Sequence, residues 1–290
     1  MLNLSNETSI ITIDYALKWA RQQLQNIASN NLDCLLLMQK STGFSKEQII
    51  FNANILLSQE QAKSFCDFVL LRQKNKPIAH ILGYKQFFGN DFIVNEHTLI
   101  PRPDSETLIE AVIKNYHKNS NFTALDLCCG SGCLAISLLK HFNNAKFIAC
   151  DISEQAIKIA QQNAINNQVE NRFLAIQSNL FSNLGNHKFD LIISNPPYIP
   201  SQQIIDLSSE VKDFEPIIAL DGGEDGLHFY RQIALLAPNF YSSLSNSKLF
   251  VEVGFNQHHQ VTEIFTQHNW IFNNTYRDLA QIDRVLNFSL

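Results

Sequence analysis

The chain has 290 residues, 45% of them hydrophobic, and a net charge of −5. That length holds one large domain or two smaller ones, and the acidic balance argues against a general binder of nucleic-acid backbone, leaving only local basic patches open. The start, Met1-Leu2-Asn3-Leu4-Ser5-Asn6-Glu7, lacks the charged-then-apolar build of a signal peptide, and no apolar run is long enough to span a bilayer, so the expectation is a cytoplasmic protein with no membrane partner.

To about residue 84 the pattern is helical. Thr12-Ile13-Asp14-Tyr15 opens a run with Tyr15, Leu17, Trp19, Ala20 and Leu24 near a helical period, and Asn30-Asn31 breaks it. Residues 33–38 are short and mostly apolar. Ser45-Lys46-Glu47-Gln48 and Ser58-Gln59-Glu60-Gln61 both read Ser-x-x-Gln, the capping box that starts a helix. The helix after Ser58 carries Ala62, Phe65, Cys66, Phe68, Val69 and Leu70, and Pro77 follows its basic end. About four or five helices fit this span.

Lys85-Gln86-Phe87-Phe88 and Phe92-Ile93-Val94 can pair as a β-hairpin around Gly89-Asn90. Pro101 and Pro103 then keep the chain extended. Asp104 or Ser105 stands where a residue would cap a helix with Leu108, Ile109, Val112 and Ile113 on one face. From Phe122 apolar runs at 124–129, 146–152, 172–177, 189–194 and 248–253 alternate with helical segments such as 134–142, 153–166 and 229–237. Strand–helix alternation implies a mostly parallel sheet covered on both faces. Trp270-Ile271-Phe272 and Arg284-Val285-Leu286-Asn287-Phe288 can supply two late strands.

Four strand ends carry the chemistry. Leu125-Asp126-Leu127-Cys128-Cys129-Gly130-Ser131-Gly132 runs through a glycine turn into a helix near Cys133, whose first N–H groups are free. It is neither the full dinucleotide fingerprint, since Ala135 takes the third glycine position, nor a P-loop. Asp151 ends the next strand about 20 residues on, the distance at which an acid accepts hydrogen bonds from ribose hydroxyls. Ser153 can cap the following helix by itself. Asn179 follows the third strand, where its amide can read an adenine edge with Leu180 or Phe181 beside the ring; a polar turn followed by a packing pair is the competing reading. The fourth strand stops in Asn195-Pro196-Pro197-Tyr198. Neither proline has an N–H, so the strand cannot continue, and an amide, carbonyls and an aromatic ring are held at the carboxyl end of a core strand.

Cys128, Cys129, Cys133 and Cys150 cluster in the middle of the chain. Zinc ligands are usually paired two to four residues apart with a second pair beyond. Cys128 and Cys129 are adjacent and no second pair follows, so reduced buried thiols and no metal are expected.

Together these features resemble the class I methyltransferases, which use S-adenosyl-L-methionine and release S-adenosyl-L-homocysteine. Within that class Asn195-Pro196-Pro197-Tyr198 is similar to the motif of enzymes that methylate nitrogen in a planar conjugated group: adenine N6, guanine N2 or the glutamine side-chain amide. Such a nitrogen is a poor nucleophile because its lone pair is delocalised. The Asn195 side-chain oxygen and the Pro196 carbonyl can accept its two N–H bonds and stabilise the positive charge that grows on it. Tyr198 can stack on the flat group.

The flanking segments narrow the choice. Pro77-Ile78-Ala79-His80-Ile81-Leu82-Gly83, Phe87-Phe88-Gly89 and Pro101-Arg102-Pro103-Asp104-Ser105-Glu106 are similar to those of bacterial release factor glutamine methyltransferases. So are Glu210-Val211-Lys212-Asp213-Phe214-Glu215-Pro216, Asp221 to Leu227, Phe250 to Gly254, and Asp278-Leu279 with Asp283-Arg284-Val285. The resemblance implies an α/β, Rossmann-like methyltransferase domain with a mostly parallel seven-stranded sheet at 105–290. It implies an all-helical substrate-recognition bundle at 1–84 and a β-hairpin linker at 85–104. The partners it implies are class I peptide chain release factors, methylated on N5 of the glutamine in Gly-Gly-Gln in support of translation termination. A monomer without direct nucleic-acid contact is expected. Cofactor-binding residues would be Cys128, Cys129, Gly130, Ser131, Gly132, Asp151, Asn179, Leu180 and Asn195. Asn195, Pro196 and Tyr198 would be catalytic, with Pro197 and Arg102 also at the substrate.

Two positions depart from the family pattern. Cys128 stands where its loop commonly has a first glycine, so the backbone there is expected to avoid positive φ. Asn179 replaces a usual Asp, which an amide can match by both donating to and accepting from adenine. The alternatives are a ribosomal-protein glutamine methyltransferase, which shares Asn-Pro-Pro-Tyr, a DNA or RNA base N-methyltransferase, which would need a basic target-reading region, and a binding module that kept the fold without catalysis.

Overall fold

Thr12 starts the first helix: its hydroxyl accepts from the Tyr15 N–H at 3.3 Å, and α1 spans Ile13–Gln23. The structure is a computed structural model that describes residues 11–243 and 248–290; positions 1–7, read above as lacking the build of a signal peptide, lie outside them. The chain divides into two units, one of residues up to Gly83 with Ser209–Phe214, the other Tyr84–Ser208 with Glu215–Leu290.

In the first unit α2 spans Asn30–Thr42 and ends in Gly43 at φ 74°, a left-handed stop that glycine takes without a Cβ penalty. Asn30 therefore opens a helix where the sequence reading had Asn30-Asn31 only breaking one, and residues 33–38 are its middle. Both Ser-x-x-Gln boxes form. Ser45 and Gln48 start α3 (Lys46–Phe51), and Ser58 and Gln61 start α4 (Gln59–Gln73), each with serine hydroxyl and glutamine oxygen exchanging bonds with backbone N–H groups. α5 (Ile78–Leu82) follows Pro77 and stops at Gly83. Ile13, Leu17, Trp19, Leu37, Phe65 and Val69 share one core. Inside it Arg72 is held between two carboxylates, Nε to Asp33 and Nη2 to Glu210, both at 2.7 Å.

The second unit opens with a hairpin, β1 (Tyr84–Phe87) and β2 (Asn90–Ile93). Phe87 pairs with Asn90, so the turn is Phe88-Gly89 at φ 46° and 73°, one residue earlier than the expected Gly89-Asn90. Two consecutive positive φ values are what a two-residue hairpin of this twist requires. After a 3-10 turn at Pro103–Ser105, α6 spans Glu106–Asn115. Neither Asp104 nor Ser105 caps it with a side chain, against expectation; both are engaged elsewhere. Then come β3 (Thr123–Leu127), α7 (Cys133–His141), β4 (Lys146–Asp151), α8 (Glu154–Asn166), β5 (Phe173–Gln177) and β6 (Leu191–Ser194). A single turn, α9 (Ser209–Lys212), belongs to the helical unit. α10 (His228–Leu236), β7 (Lys248–Glu252), α11 (His258–Gln267), β8 (Ile271–Arg277) and β9 (Asp283–Ser289) complete the chain.

Among the described residues the main sheet has seven strands in the order β5-β4-β3-β6-β7-β9-β8. The first five in that order are parallel, and β9 runs antiparallel to both neighbours. Alternation along β3 sends Leu125 and Leu127 to the core that contains Tyr230 and Val261, and Ala124 to the core of Leu108, Leu138 and Ala160. The hairpin, expected as a linker with structure of its own, joins the latter core through Phe87 and Phe92. Asn163 of α8 also bonds both backbone groups of Ile93, at 2.7 and 3.1 Å. Strand order reverses between β4 and β6 on either side of β3, and a crevice opens there at the carboxyl ends.

Candidate functional site

The loop after β3 is the floor of that crevice. Cys128 sits at φ 60°, which corrects the expectation that its Cβ would keep it from positive φ. The turn is tied on three sides: Cys129 N–H to the Cys150 carbonyl at 3.0 Å, Gly132 N–H to the Cys129 carbonyl at 2.8 Å, and Gly130 N–H to Asp151 Oδ2 at 2.9 Å. These bonds impose the left-handed angle and offset its cost of order 1 kcal/mol. The two glycines do different work. A Cβ on Gly130 (φ 52°) would meet none of the described residues within 4 Å, so its missing side chain leaves open space. A Cβ on Gly132 (φ 77°) would lie 3.1 Å from Ala160 and 3.2 Å from Ile136, so Gly132 lets α7 and α8 close up in the core.

Asp151 closes β4. Its Oδ1 accepts the Ser153 N–H and its Oδ2 the Gly130 N–H, both at 2.9 Å. Burial raises its pKa, and the bonds from Ser153 and Gly130 hold it back. A carboxylate offers about four acceptor sites, so two stay free for a ligand. Ser153 caps α8 through the Ala156 N–H, leaving Asp151 unneeded as a cap.

A cavity of about 320 Å³ lies here, within the ordinary size range of small-molecule sites. Of the residues singled out from sequence it is lined by Cys128, Gly130, Asp151, Asn179, Leu180, Asn195 and Pro197. Cys129, Ser131, Gly132, Pro196, Tyr198 and Arg102 do not line it. Ser131 is buried, and its carbonyl accepts from Asn163 at 2.9 Å. Phe181 turns away and stacks on Phe240 at 4.7 Å, the packing alternative read from sequence, whereas Leu180 forms wall. Asn179 is exposed at the rim. Arg102 is half-exposed and ion-paired with the buried Glu215, whose other oxygen accepts the Ile100 N–H at 3.0 Å. Burial keeps the cavity thiol, Cys128, protonated, and the six cysteines are free.

The crevice bears on the cofactor that the sequence suggests. A polar rim (Asp151, Asn179), apolar wall (Leu180, Ile152, Phe229) and the open side of Gly130 suit a ribose-bearing planar base. Thr98 also lines it, and among the described residues the Thr98 Oγ1 is buried without a hydrogen-bond partner, as a group awaiting a polar ligand would be. The residues present therefore fit S-adenosylmethionine.

Asn195 follows β6 directly. Its Nδ2 donates to Ser105 Oγ at 3.2 Å. Tyr198 is mostly buried, and burial pushes its hydroxyl up to about 12. Its carbonyl accepts from Gln257 Nε2 at 2.8 Å. Three glycines give this turn its room. A Cβ on Gly222 would come within 2.8 Å of the Tyr198 Cα, one on Gly254 within 2.9 Å of the Tyr198 ring, and one on Gly226 would strike the Tyr198 carbonyl oxygen. Sequence reasoning used these glycines only as family markers. It missed Ser105, which looked like a helix cap, and gave Thr98, Phe229, Glu252 and Gln257 no role in the site. The cluster Gly222, Gly223 and Gly226 was the available signal for close backbone approach.

Among the described residues no helix is long and apolar enough to cross a membrane. A family model described as the PrmC N-terminal domain matches residues 15–83, and one described as the methyltransferase small domain matches residues 103–210. A bifunctional methyltransferase of Rickettsia bellii is 38% identical over 92% of this chain but only 53% of its own length. The chain thus spans about half the length of such bifunctional relatives. A release factor glutamine methyltransferase of Agrobacterium fabrum is 35% identical over 96% of this chain and 97% of its own length. Among solved structures a methyltransferase from Pyrococcus furiosus superposes with a TM-score of 0.52 at 18% identity, covering 77% of this chain and 96% of that one, and shows the shared fold.

Proposed function

Because this chain belongs to the release factor glutamine methyltransferase family, we propose that it methylates the side-chain N5 of the glutamine in the Gly-Gly-Gln motif of class I peptide chain release factors. Asn195 carries this reading. Its Nδ2 is spent on Ser105, which leaves Oδ1 to accept an N–H at the mouth of a cavity suited to S-adenosylmethionine. When bound, S-adenosylmethionine supplies an activated sulfonium methyl group. Asp151 would accept from the ribose hydroxyls, Asn179 would face the base edge, and Cys128, Gly130 and Leu180 would form the surrounding wall. Pro197 lies at the same mouth.

Asn195 Oδ1 and the Pro196 carbonyl would take the two N–H bonds of the substrate amide, turn its nitrogen toward the donor and stabilise the charge that grows as the N–C bond forms. Tyr198 would hold the amide plane. One proton leaves the methylated nitrogen for water, and no residue need act as a strong base. Arg102, fixed by Glu215, would flank the incoming loop. The helical unit would recognise the release factor, and the protein would act in the cytoplasm.

Incubation with labelled S-adenosylmethionine and purified release factor, followed by peptide mapping, should give one methyl on the Gly-Gly-Gln glutamine. Label on ribosomal protein or nucleic acid instead would overturn the assignment. Asn195→Ala should lose turnover roughly 100-fold or more, as loss of an oriented transition-state partner does, while calorimetric cofactor affinity falls far less.

A further inference from the structure

Glu252 ends β7, the strand beside β6, and is 2% exposed. Burial raises its carboxyl to about 7, while the nearby Ser105 hydroxyl, the Arg284 charge and the Asn195 amide hold it down and the Asp104 charge pushes it up. Tyr198 is near enough to feel its charge. Arg284 in turn is shared between Asp104 at 2.9 Å and Asp278 at 2.8 Å. Among the described residues Glu252 Oε2 is buried without a hydrogen-bond partner. Such a carboxylate is costly to bury, and its neighbours are the cap-like Ser105 and the amide of Asn195.

The donor polarity of this group runs one way. An ionised carboxylate only accepts, so the Ser105 hydroxyl that faces it donates, and Ser105 Oγ is free to accept from Asn195 Nδ2. Asn195 Nδ2, which donates to Ser105 Oγ, is likewise the end of the amide that suits a neighbouring ionised Glu252. With Nδ2 engaged on Ser105, Oδ1 is the end of Asn195 left for the cavity that it lines. The amide of asparagine has nearly the same shape after a half-turn, so packing alone does not choose between the two orientations. The flipped form would set NH2 against the NH2 of a substrate amide.

We propose that Glu252, with Ser105, is a positioning residue that locks the Asn195 side chain with its oxygen toward the substrate. The inference rests on the methyl-transfer reading above for its consequence, but not for its geometry. A protonated Glu252 gains an O–H donor that can pair with Asn195 Oδ1 and release the lock. Turnover should therefore rise with pH through about 7.

Three proteins test this: the full chain, Glu252→Gln and Ser105→Ala. The Asn195 side-chain NH2 signals, identified by their loss in Asn195→Asp, are followed by ¹⁵N NMR hydrogen exchange at pH 8, without substrate. Slow exchange in the full chain that becomes fast in Glu252→Gln supports the lock whether or not the release factor is methylated. Exchange that does not respond to Glu252→Gln or to Ser105→Ala overturns it. In turnover, Glu252→Gln should lower kcat roughly 10- to 100-fold, the usual loss on removing an orienting partner, and leave calorimetric cofactor affinity unchanged. Its kcat should also lose the rise through pH 7, and Ser105→Ala should lose kcat in the same sense. A kcat and pH profile equal to those of the unmodified chain would overturn the proposal. If Glu252→Gln does not fold, the exchange and kcat of Ser105→Ala decide it by the same criteria.

Discussion

A cysteine at φ 60° keeps a standing strain at Cys128, which two backbone bonds and one to the Asp151 carboxylate hold in place. Removing the Cβ relieves that strain, but glycine costs more backbone entropy and gives up the cysteine's packing. Cys128→Gly should therefore leave stability within about 1 kcal/mol of the original. Cys128→Val adds a branched Cβ in the same left-handed region and should cost about 1–3 kcal/mol. Thermal melts of both variants, with cofactor titration, check this; equal melting of the two would show that the loop relaxes out of positive φ. The sequence reading went wrong at this residue because a Cβ penalty of about 1 kcal/mol is small beside three tethers that only the fold supplies.

The turn after β6 is shaped by glycines from other elements. Gly226 sits at φ 75° with the Tyr198 carbonyl against it, and Gly254 lies under the Tyr198 ring. Gly226→Ala should push the Asn195–Tyr198 turn out of place and cut turnover by about 10-fold or more, since misplacement of a reacting partner costs that much. Gly185→Ala, at a site with open space around it, is the control for positive-φ strain. Retained kcat in Gly226→Ala would mean the turn does not depend on this contact. Elements were legible where their signals are local. The boxes at Ser45 and Ser58 name their own helices, and the run into Asn195-Pro196 ends its own strand. Ser105 was read as a cap because its neighbours look like a helix start. Its partner Asn195 is 90 residues away, and no local pattern announces that.

At the scale of the whole molecule the buried acids Asp126 and Glu252 contribute a pH dependence. Among the described residues Asp126, under the start of α7, accepts only the Ala135 N–H, at 3.3 Å, through Oδ2, and burial raises it from 3.8 to about 8. Glu252 is raised from 4.5 to about 7. Both folded values lie above those of the unfolded chain. The stability they contribute is full below about pH 4 and is lost as pH rises through 7 and 8. Asp126→Asn keeps an acceptor for Ala135 and should flatten the fall of melting temperature between pH 4 and pH 8; an unaltered slope would mean Asp126 is not buried as a neutral acid. The mostly parallel sheet was legible in outline, because strand–helix alternation repeats along the chain, whereas the strand order comes from pairings that no local pattern announces. The division into units was legible only in part. The chain leaves the helical unit at Gly83, returns at Ser209 and leaves again after Phe214. That returning strip brings Glu210 to Arg72. A piece cut after Gly83 would keep Asp33 and Arg72 but lose the second carboxylate. Grafting the helical segment onto another methyltransferase would therefore mean transplanting two separated stretches of gene, so recombination at one junction cannot move this recognition module intact.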